Sequence, residues 1–120
     1  MASTLIRFKR VYGPASTEDG VRILVERLWP RGRTKADAAI DHWVKDVAPT
    51  PELRTWFGHR PERWQEFQTR YQLELDSNWA AVLSLWDLCS GQRVTFVFAT
   101  KDVVHNGAVV LKDYLEAEFS

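Results

Sequence analysis

The segment Val94–Ala99, which reads Val-Thr-Phe-Val-Phe-Ala, constrains the fold of this chain more than any other segment. It is apolar on both faces and lacks the regular polar alternation of a strand that has one face in water. Such a strand is typical of the centre of a parallel sheet with helices covering it. The segment therefore predicts an α/β fold in which Val94–Ala99 is a central, buried strand.

Other segments supply candidate partners for this strand. Leu5–Val11 alternates apolar and basic residues, and Val21–Trp29 is rich in Val, Ile and Leu up to Pro30, which cannot donate to a sheet ladder. Asp41–Val47 fits a third strand, with Trp43, Lys45 and Val47 on one face, but a helix fits it almost as well. We therefore expect two or three further strands.

Helical segments alternate with these strands. Trp64, Phe67, Tyr71 and Leu75 share one face of a predicted helix over Pro61–Asp76. The other predicted helices run from Thr34 to Ile40, from Thr50-Pro51 to Gly58, from an Asn78 cap through Trp79, Val82, Leu83 and Trp86 to Gly91, and over Ala108–Glu118. The alternation predicts one domain over residues 1–120, with a mostly parallel sheet flanked by helices in a Rossmann-like layered arrangement.

Composition limits the class of protein. The 120 residues include one cysteine, Cys89, so no disulfide can form within the chain, and neither a secretory signal nor a membrane-spanning apolar run is evident. We expect a cytoplasmic protein with an inert thiol. The 16 basic and 16 acidic residues balance, yet residues 1–35 carry a net charge of +5. This excess suits either scattered surface charge or an anionic ligand, and the balanced total argues against general nucleic-acid affinity.

One candidate site follows the buried strand. Asp102, His105 and Asn106 lie between it and the last helix, and ligands of open parallel sheets bind outside the carboxyl ends of the strands. Asp102 can orient His105 as a general acid or base, with Asn106 stabilising negative charge. The alternative is that Asp102 or Asn106 caps the helix and His105 is a surface residue.

A second candidate site is the segment Arg27-Leu28-Trp29-Pro30-Arg31-Gly32-Arg33. Guanidinium groups bind phosphate or carboxylate in a bidentate manner, and a tryptophan offers a stacking face. Arg27, at the end of an apolar strand, needs a partner, which is either structural, such as Asp41 or Glu26, or a ligand.

Residues at the end of the first predicted strand can join the same site. Arg10 and Tyr12 end the first predicted strand and can join it, whereas His59 is expected to help end a helix. No glycine-rich nucleotide motif, nucleophile elbow or metal-ligand spacing of histidines occurs, so no metal or cofactor is predicted.

The chain resembles the YeaO-like branch of the domain-of-unknown-function 488 family over nearly its whole length. The resemblance rests on Arg10-Val11-Tyr12, Asp19–Val25, Arg27–Gly32, Asp41–Pro49, Leu53–His59, Trp64, Phe67, Tyr71, Glu74, Leu75, Asp102 and His105–Ala108. Among these, Leu-Trp-Pro-Arg-Gly (residues 28–32) is the most specific.

The resemblance implies a compact α/β fold and no established activity. Broader members of that superfamily have Cys-His-Arg at the turn that here reads Val104-His105-Asn106, so the histidine is kept and the other two residues are not. This departure argues against thiol chemistry and leaves His105 with Asp102 as the principal polar pair.

Two hypotheses of function follow. In the first, an enzyme or binder acts on a small anionic ligand, such as a nucleotide or phosphorylated metabolite, held by Arg27 and Arg31 beside His105. In the second, the chain is a non-catalytic module that binds nucleic acid or a protein. The sequence favours the small-ligand hypothesis and leaves open whether the chain is an enzyme.

Overall fold

A single parallel sheet organises the computed structural model, which describes residues 5–119. The strands are β1 (Leu5–Arg10), β2 (Val21–Leu24), β3 (His42–Trp43) and β4 (Arg93–Phe98), and their order in the sheet is β1-β4-β2-β3. All three pairings are parallel. Strand β4 therefore has a neighbour on each side, which confirms the central position predicted from its apolar faces.

Five helices accompany the sheet in residues 5–119. They are α1 (Lys35–Ala38), α2 (Pro51–Phe57), α3 (Trp64–Asp76), α4 (Trp79–Cys89) and α5 (Gly107–Phe119), with 3₁₀ turns at Thr17–Asp19 and Pro61–Arg63. Helix α2 begins and ends as predicted, because the Thr50 side chain accepts a hydrogen bond from the Leu53 N–H and Gly58 adopts a left-handed conformation (φ 52°). Within the described part of the chain, none of the helices has the length and apolar character needed to cross a bilayer.

The main hydrophobic core lies between one face of the sheet and helices α2 to α5. Phe96 of β4 and Phe67, Tyr71 and Leu75 of α3 are buried in it, which confirms the predicted α3 face. On the opposite face Val97 packs in a smaller cluster with Ala38 of α1. The α/β class is therefore confirmed, and the second face is covered by one short helix and loops.

Two predicted strands are shorter than expected. Strand β2 ends at Leu24 rather than Trp29. The Val25 N–H still donates to the Val97 carbonyl, but from Glu26 onward side chains replace the ladder partners: the Trp43 indole donates to the Glu26 carbonyl, and the Glu26 carboxylate accepts from the Ala99 N–H. Strand β3 pairs only with β2 and is therefore limited to two residues. Of the three residues predicted to share one face of a longer strand, Val47 is buried, while Lys45 lies over the exposed ring of Trp43.

The start of α4 also differs from the prediction. Asn78 occupies the position before the helix but makes no side-chain cap; its amide donates instead to the Asp46 carbonyl at 2.8 Å. Cys89, at the other end of α4, is buried, and burial raises the pKa of its thiol to about 12. A thiol with that pKa is protonated at neutral pH, in agreement with the predicted inertness.

Candidate functional site

A cavity of about 380 Å³ opens at the carboxyl ends of β2 and β4. Its walls come from the segments that follow β1, β2 and β4, from helix α2, and from the start of α5. The volume is within the range of small-molecule sites, and the position is the one that parallel sheets use for ligands. Six predicted site residues line this cavity, namely Tyr12, Arg27, Trp29, Arg31, His105 and Asn106, while Arg10 and Asp102 lie outside it.

Asp102 is held by the turn that precedes α5. Its Oδ1 accepts hydrogen bonds from the Val104 N–H (3.0 Å) and the His105 N–H (2.9 Å), and its Oδ2 lies 2.9 Å from Nδ1 of His105. The two N–H groups and the imidazole lower the pKa of this carboxyl to about 2. Asp102 thus orients the His105 ring, as predicted, and also caps the turn, which was the stated alternative.

Asn106 is a capping residue. Its Oδ1 accepts from the Val109 N–H of α5 and its Nδ2 donates to the Asp102 carbonyl, so both ends of the buried amide are occupied. His105 lines the cavity, and its ring packs edge-on against Trp64 at 5.1 Å. His105 and Asn106 therefore both reach the cavity, and only Asn106 is engaged in capping helix α5.

The partners of Arg27 and Arg10 are backbone carbonyls. Arg27 donates to the carbonyls of Pro49 (2.9 Å) and Ala48 (3.2 Å), and Arg10 donates in the same way to those of Thr100 and Ala99. Neither Asp41 nor Glu26 is the ionic partner that the sequence suggested for Arg27, because Asp41 accepts the Arg22 N–H and Glu26 accepts the Ala99 N–H. Both arginines therefore tie loops together at the edge of the site.

The loop after β2 is held by its own Trp29 and by Tyr12, which follows β1. The Tyr12 hydroxyl donates to the Arg31 carbonyl at 2.9 Å, and the Trp29 indole donates to the Arg33 carbonyl at 2.7 Å. The Trp29 ring also packs edge-on against Trp43. The Arg31 side chain is exposed at the cavity and makes no hydrogen bond or ion pair with any other residue between 5 and 119.

Much of the basic excess of residues 1–35 serves the fold. Five of the eight basic side chains donate hydrogen bonds to other parts of the protein: Arg7, Lys9, Arg10, Arg22 and Arg27. Arg33 lies over the Tyr12 ring. Fewer cations are therefore available for a nucleic-acid backbone than the charge count indicates.

Glu26, Arg54, His59 and Thr100 also line the cavity, and sequence analysis did not assign them to it. The Glu26 pKa is raised, because burial outweighs the Ala99 N–H, Arg54 and His59, which lower it. Arg54 on α2 makes no side-chain hydrogen bond or ion pair within the described residues. The spacing of Arg54 and Phe57 on one side of α2 was the available signal, since Phe57 is a cavity residue too.

His59 has a backbone conformation that β-carbon-bearing residues rarely adopt. Its φ is 57°, directly after Gly58 at 52°, and its Nδ1 lies 3.5 Å from the Thr100 hydroxyl. Non-glycine residues held in this region concentrate at functional sites. The sequence predicted His59 chiefly as the end of a helix. No group of three or more potential metal ligands occurs in the part of the chain that the structure describes.

Comparisons with known proteins give this site a family context. Residues 5–120 match the family model DUF488-N3i, whose description is "Inactive DUF488-N3 subclade". The uncharacterized protein Rv3073c of Mycobacterium tuberculosis (strain H37Rv) is 46% identical over 112 residues, covering 93% of this chain and 94% of its own. The uncharacterized protein YeaO of Escherichia coli K12 is 40% identical over 112 residues, covering 93% and 97%.

No solved structure matches this chain significantly. The family match covers the whole described sheet, the cavity and the Asp102–His105 turn, and it agrees with the YeaO-like resemblance of the sequence. The chain belongs to the DUF488-N3i family.

Proposed function

We propose that this chain is a non-catalytic binding protein for a small organic anion, such as a nucleotide or phosphorylated metabolite, in the cytoplasm. One observation carries the proposal: Arg31 and Arg54, from separate elements, line one cavity and make no side-chain hydrogen bond or ion pair within residues 5–119. An arginine side chain at the wall of a cavity whose guanidinium has no hydrogen-bond or ion-pair partner in the protein is suited to bidentate recognition of phosphate or carboxylate.

The rest of the cavity suits an apolar molecular body. Val25, Phe57, Phe67 and Ala108 are buried core residues that reach its wall. Ligand sites combine such apolar walls with a few polar groups that fix orientation. We therefore expect a ligand with a flat or compact apolar part and one anionic group, rather than an inorganic ion.

The absence of catalysis is proposed from the groups around His105. The family resemblance implies that Val104 and Asn106 stand where broader superfamily members have cysteine and arginine, and both the oxygen and the nitrogen of the Asn106 amide are engaged at the start of α5. The family description is that of an inactive subclade. An imidazole beside a carboxylate that caps a turn supports ligand binding without requiring a reaction.

The test is binding to a panel of nucleotides and sugar phosphates, measured by thermal shift and then calorimetry. A ligand at 100 times its Kd raises the unfolding free energy by about 2.7 kcal/mol, which is readily measured. Arg31→Ala and Arg54→Ala are each expected to raise Kd about tenfold, the equivalent of about 1.4 kcal/mol.

Arg60→Ala is the matched control, because Arg60 is exposed and does not line the cavity. It should leave Kd unchanged. The proposal is wrong if no member of the panel binds, or if the three alanine variants weaken binding equally. Turnover of the bound compound by the wild-type protein would contradict its non-catalytic part.

A further inference from the structure

Glu26 places a carboxylate at the cavity wall, immediately after the second strand. Its Oε1 accepts the Ala99 N–H at 2.9 Å, which links the segments that follow β2 and β4. That bond needs a single acceptor oxygen and no negative charge. A structural role for Glu26 therefore accounts for one of its two oxygens.

The second oxygen, Oε2, has no hydrogen-bond partner among residues 5–119. No fully buried side-chain polar atom lacks a partner in that part of the chain. Since Glu26 is half-buried and lines the cavity, its Oε2 is accessible to whatever occupies the cavity.

Two basic residues of the cavity partly offset the effect of burial on the pKa of this carboxyl. Arg54 and His59, which line the same cavity, both act on Glu26 through their charge, yet neither forms an ion pair with it within 4 Å. A carboxylate oxygen only accepts hydrogen bonds. The accessible oxygen therefore selects a ligand group that donates an N–H or O–H.

We propose that Glu26 accepts a hydrogen bond from an exocyclic amino group of the ligand, and that the ligand is a nucleoside monophosphate with an amino-bearing base, namely adenine, cytosine or guanine. This inference rests on the proposed anion-binding function, in which Arg31 and Arg54 hold the phosphate. The aromatic pair Phe57 and Phe67, stacked at 4.5 Å, gives the wall an apolar surface suited to a base.

The substitution Glu26→Gln tests this with nearly unchanged shape. The Ala99 N–H needs an acceptor, so the glutamine oxygen must take the Oε1 position and its NH₂ must face the cavity. The variant then presents a donor to the ligand amine where the wild-type protein presents an acceptor. Selectivity for the amino group should disappear while the phosphate contacts remain.

The experiment compares AMP, CMP and GMP with analogues in which hydrogen replaces the amino group, namely purine riboside, 2-pyrimidinone riboside and inosine monophosphates, by calorimetry. Wild-type protein should bind at least one amino nucleotide about tenfold or more tightly than its analogue. In Glu26→Gln the preference should fall below about threefold. Glu62→Gln, at an exposed glutamate outside the cavity, should keep the preference. Thermal melts of each variant establish that it is folded.

The inference is overturned if none of AMP, CMP and GMP binds, if the analogues bind the wild-type protein equally well, or if the preference survives in Glu26→Gln. These results separate the two proposals. Equal binding of nucleotides and analogues that still depends on Arg31 and Arg54 refutes the role of Glu26 alone. Failure of every anion in the wider panel refutes the binding function as well.

Discussion

The two ends of β2 each carry an acidic and a basic residue, but the two residues bind each other only at the first end. We call this end closed, and we call the other end, which adjoins the cavity, open. At the start of the strand, Asp19 and Arg22 form a buried ion pair at 2.6 Å. Arg22 also donates to the carbonyls of Ala38 and Ala39, and Asp19 also binds Lys9 and the Ser16 N–H.

After the strand, Glu26 and Arg27 point to different partners. Arg27 binds two loop carbonyls, Glu26 binds one N–H, and each keeps a polar atom, Nη1 and Oε2, without a hydrogen-bond partner within residues 5–119. A cavity adjoins this end. Every side-chain nitrogen and carboxylate oxygen of Asp19 and Arg22 has a hydrogen-bond partner, whereas Glu26 and Arg27 each keep one polar atom without a partner in the described chain.

Asp19→Ala gives the sharpest test of the closed end. It leaves the buried Arg22 guanidinium without its counter-ion, and breaking a buried pair in this way costs about 3–5 kcal/mol. Urea denaturation should show this loss of unfolding free energy. Asp87→Ala, at an exposed aspartate of α4, should change it by less than about 0.5 kcal/mol. A loss near 1 kcal/mol for Asp19→Ala would show that the closed end is no more structural than the surface.

Arg27→Ala should have an intermediate effect at the open end. It removes two hydrogen bonds and leaves the Ala48 and Pro49 carbonyls without a donor from the protein, which should lower the unfolding free energy by about 1–3 kcal/mol. Arg31→Ala, in the same loop region, should cost less than about 0.5 kcal/mol because the side chain has no partner in the described chain. If thermal melts reverse this order, Arg31 supports the loop and Arg27 is the group left for a ligand.

The sequence was informative where one local pattern decides the structure. The unbroken apolar faces of Val94–Ala99 predicted the central strand, and Thr50, Pro51 and Gly58 predicted both ends of α2, since caps and strand burial depend on neighbouring residues. Strand β3 was predicted too long because its length depends on where its partner β2 stops, which the local sequence does not contain.

The candidate site was harder to predict because its contacts join distant parts of the chain. Position after a strand was enough to bring Arg27, Arg31 and His105 to one cavity. The partners of Arg27 are carbonyls, which every residue has, so no side-chain pattern indicates them. Glu26 was considered only as an ionic partner, because its bond to the Ala99 N–H spans 73 residues.

The smallest effect we predict is an opposite pH dependence at the two ends of β2. Burial raises the pKa of Asp19, but the Ser16 N–H, Arg22 and Lys9 together lower it below 3.8, so its contribution to stability is present above that pH and is lost as the pH falls further. Burial raises the pKa of Glu26 above 4.5, so its contribution is fully present below 4.5 and is lost as the pH rises through the folded-state value.

Glu26→Gln, which is neutral at every pH, isolates the second effect. The unfolding free energy of the variant minus that of the wild-type protein should increase between pH 4 and pH 7, as the wild-type carboxyl ionises in a partly buried position. Asp19→Asn should show the reverse, with a deficit that shrinks as the pH falls below 3.8. Urea denaturation across this range measures both. Parallel trends in the two variants would mean that the Glu26 carboxylate is stabilised by the fold as well as the Asp19 carboxylate at the closed end. The contrast between the two ends of β2 would then no longer hold.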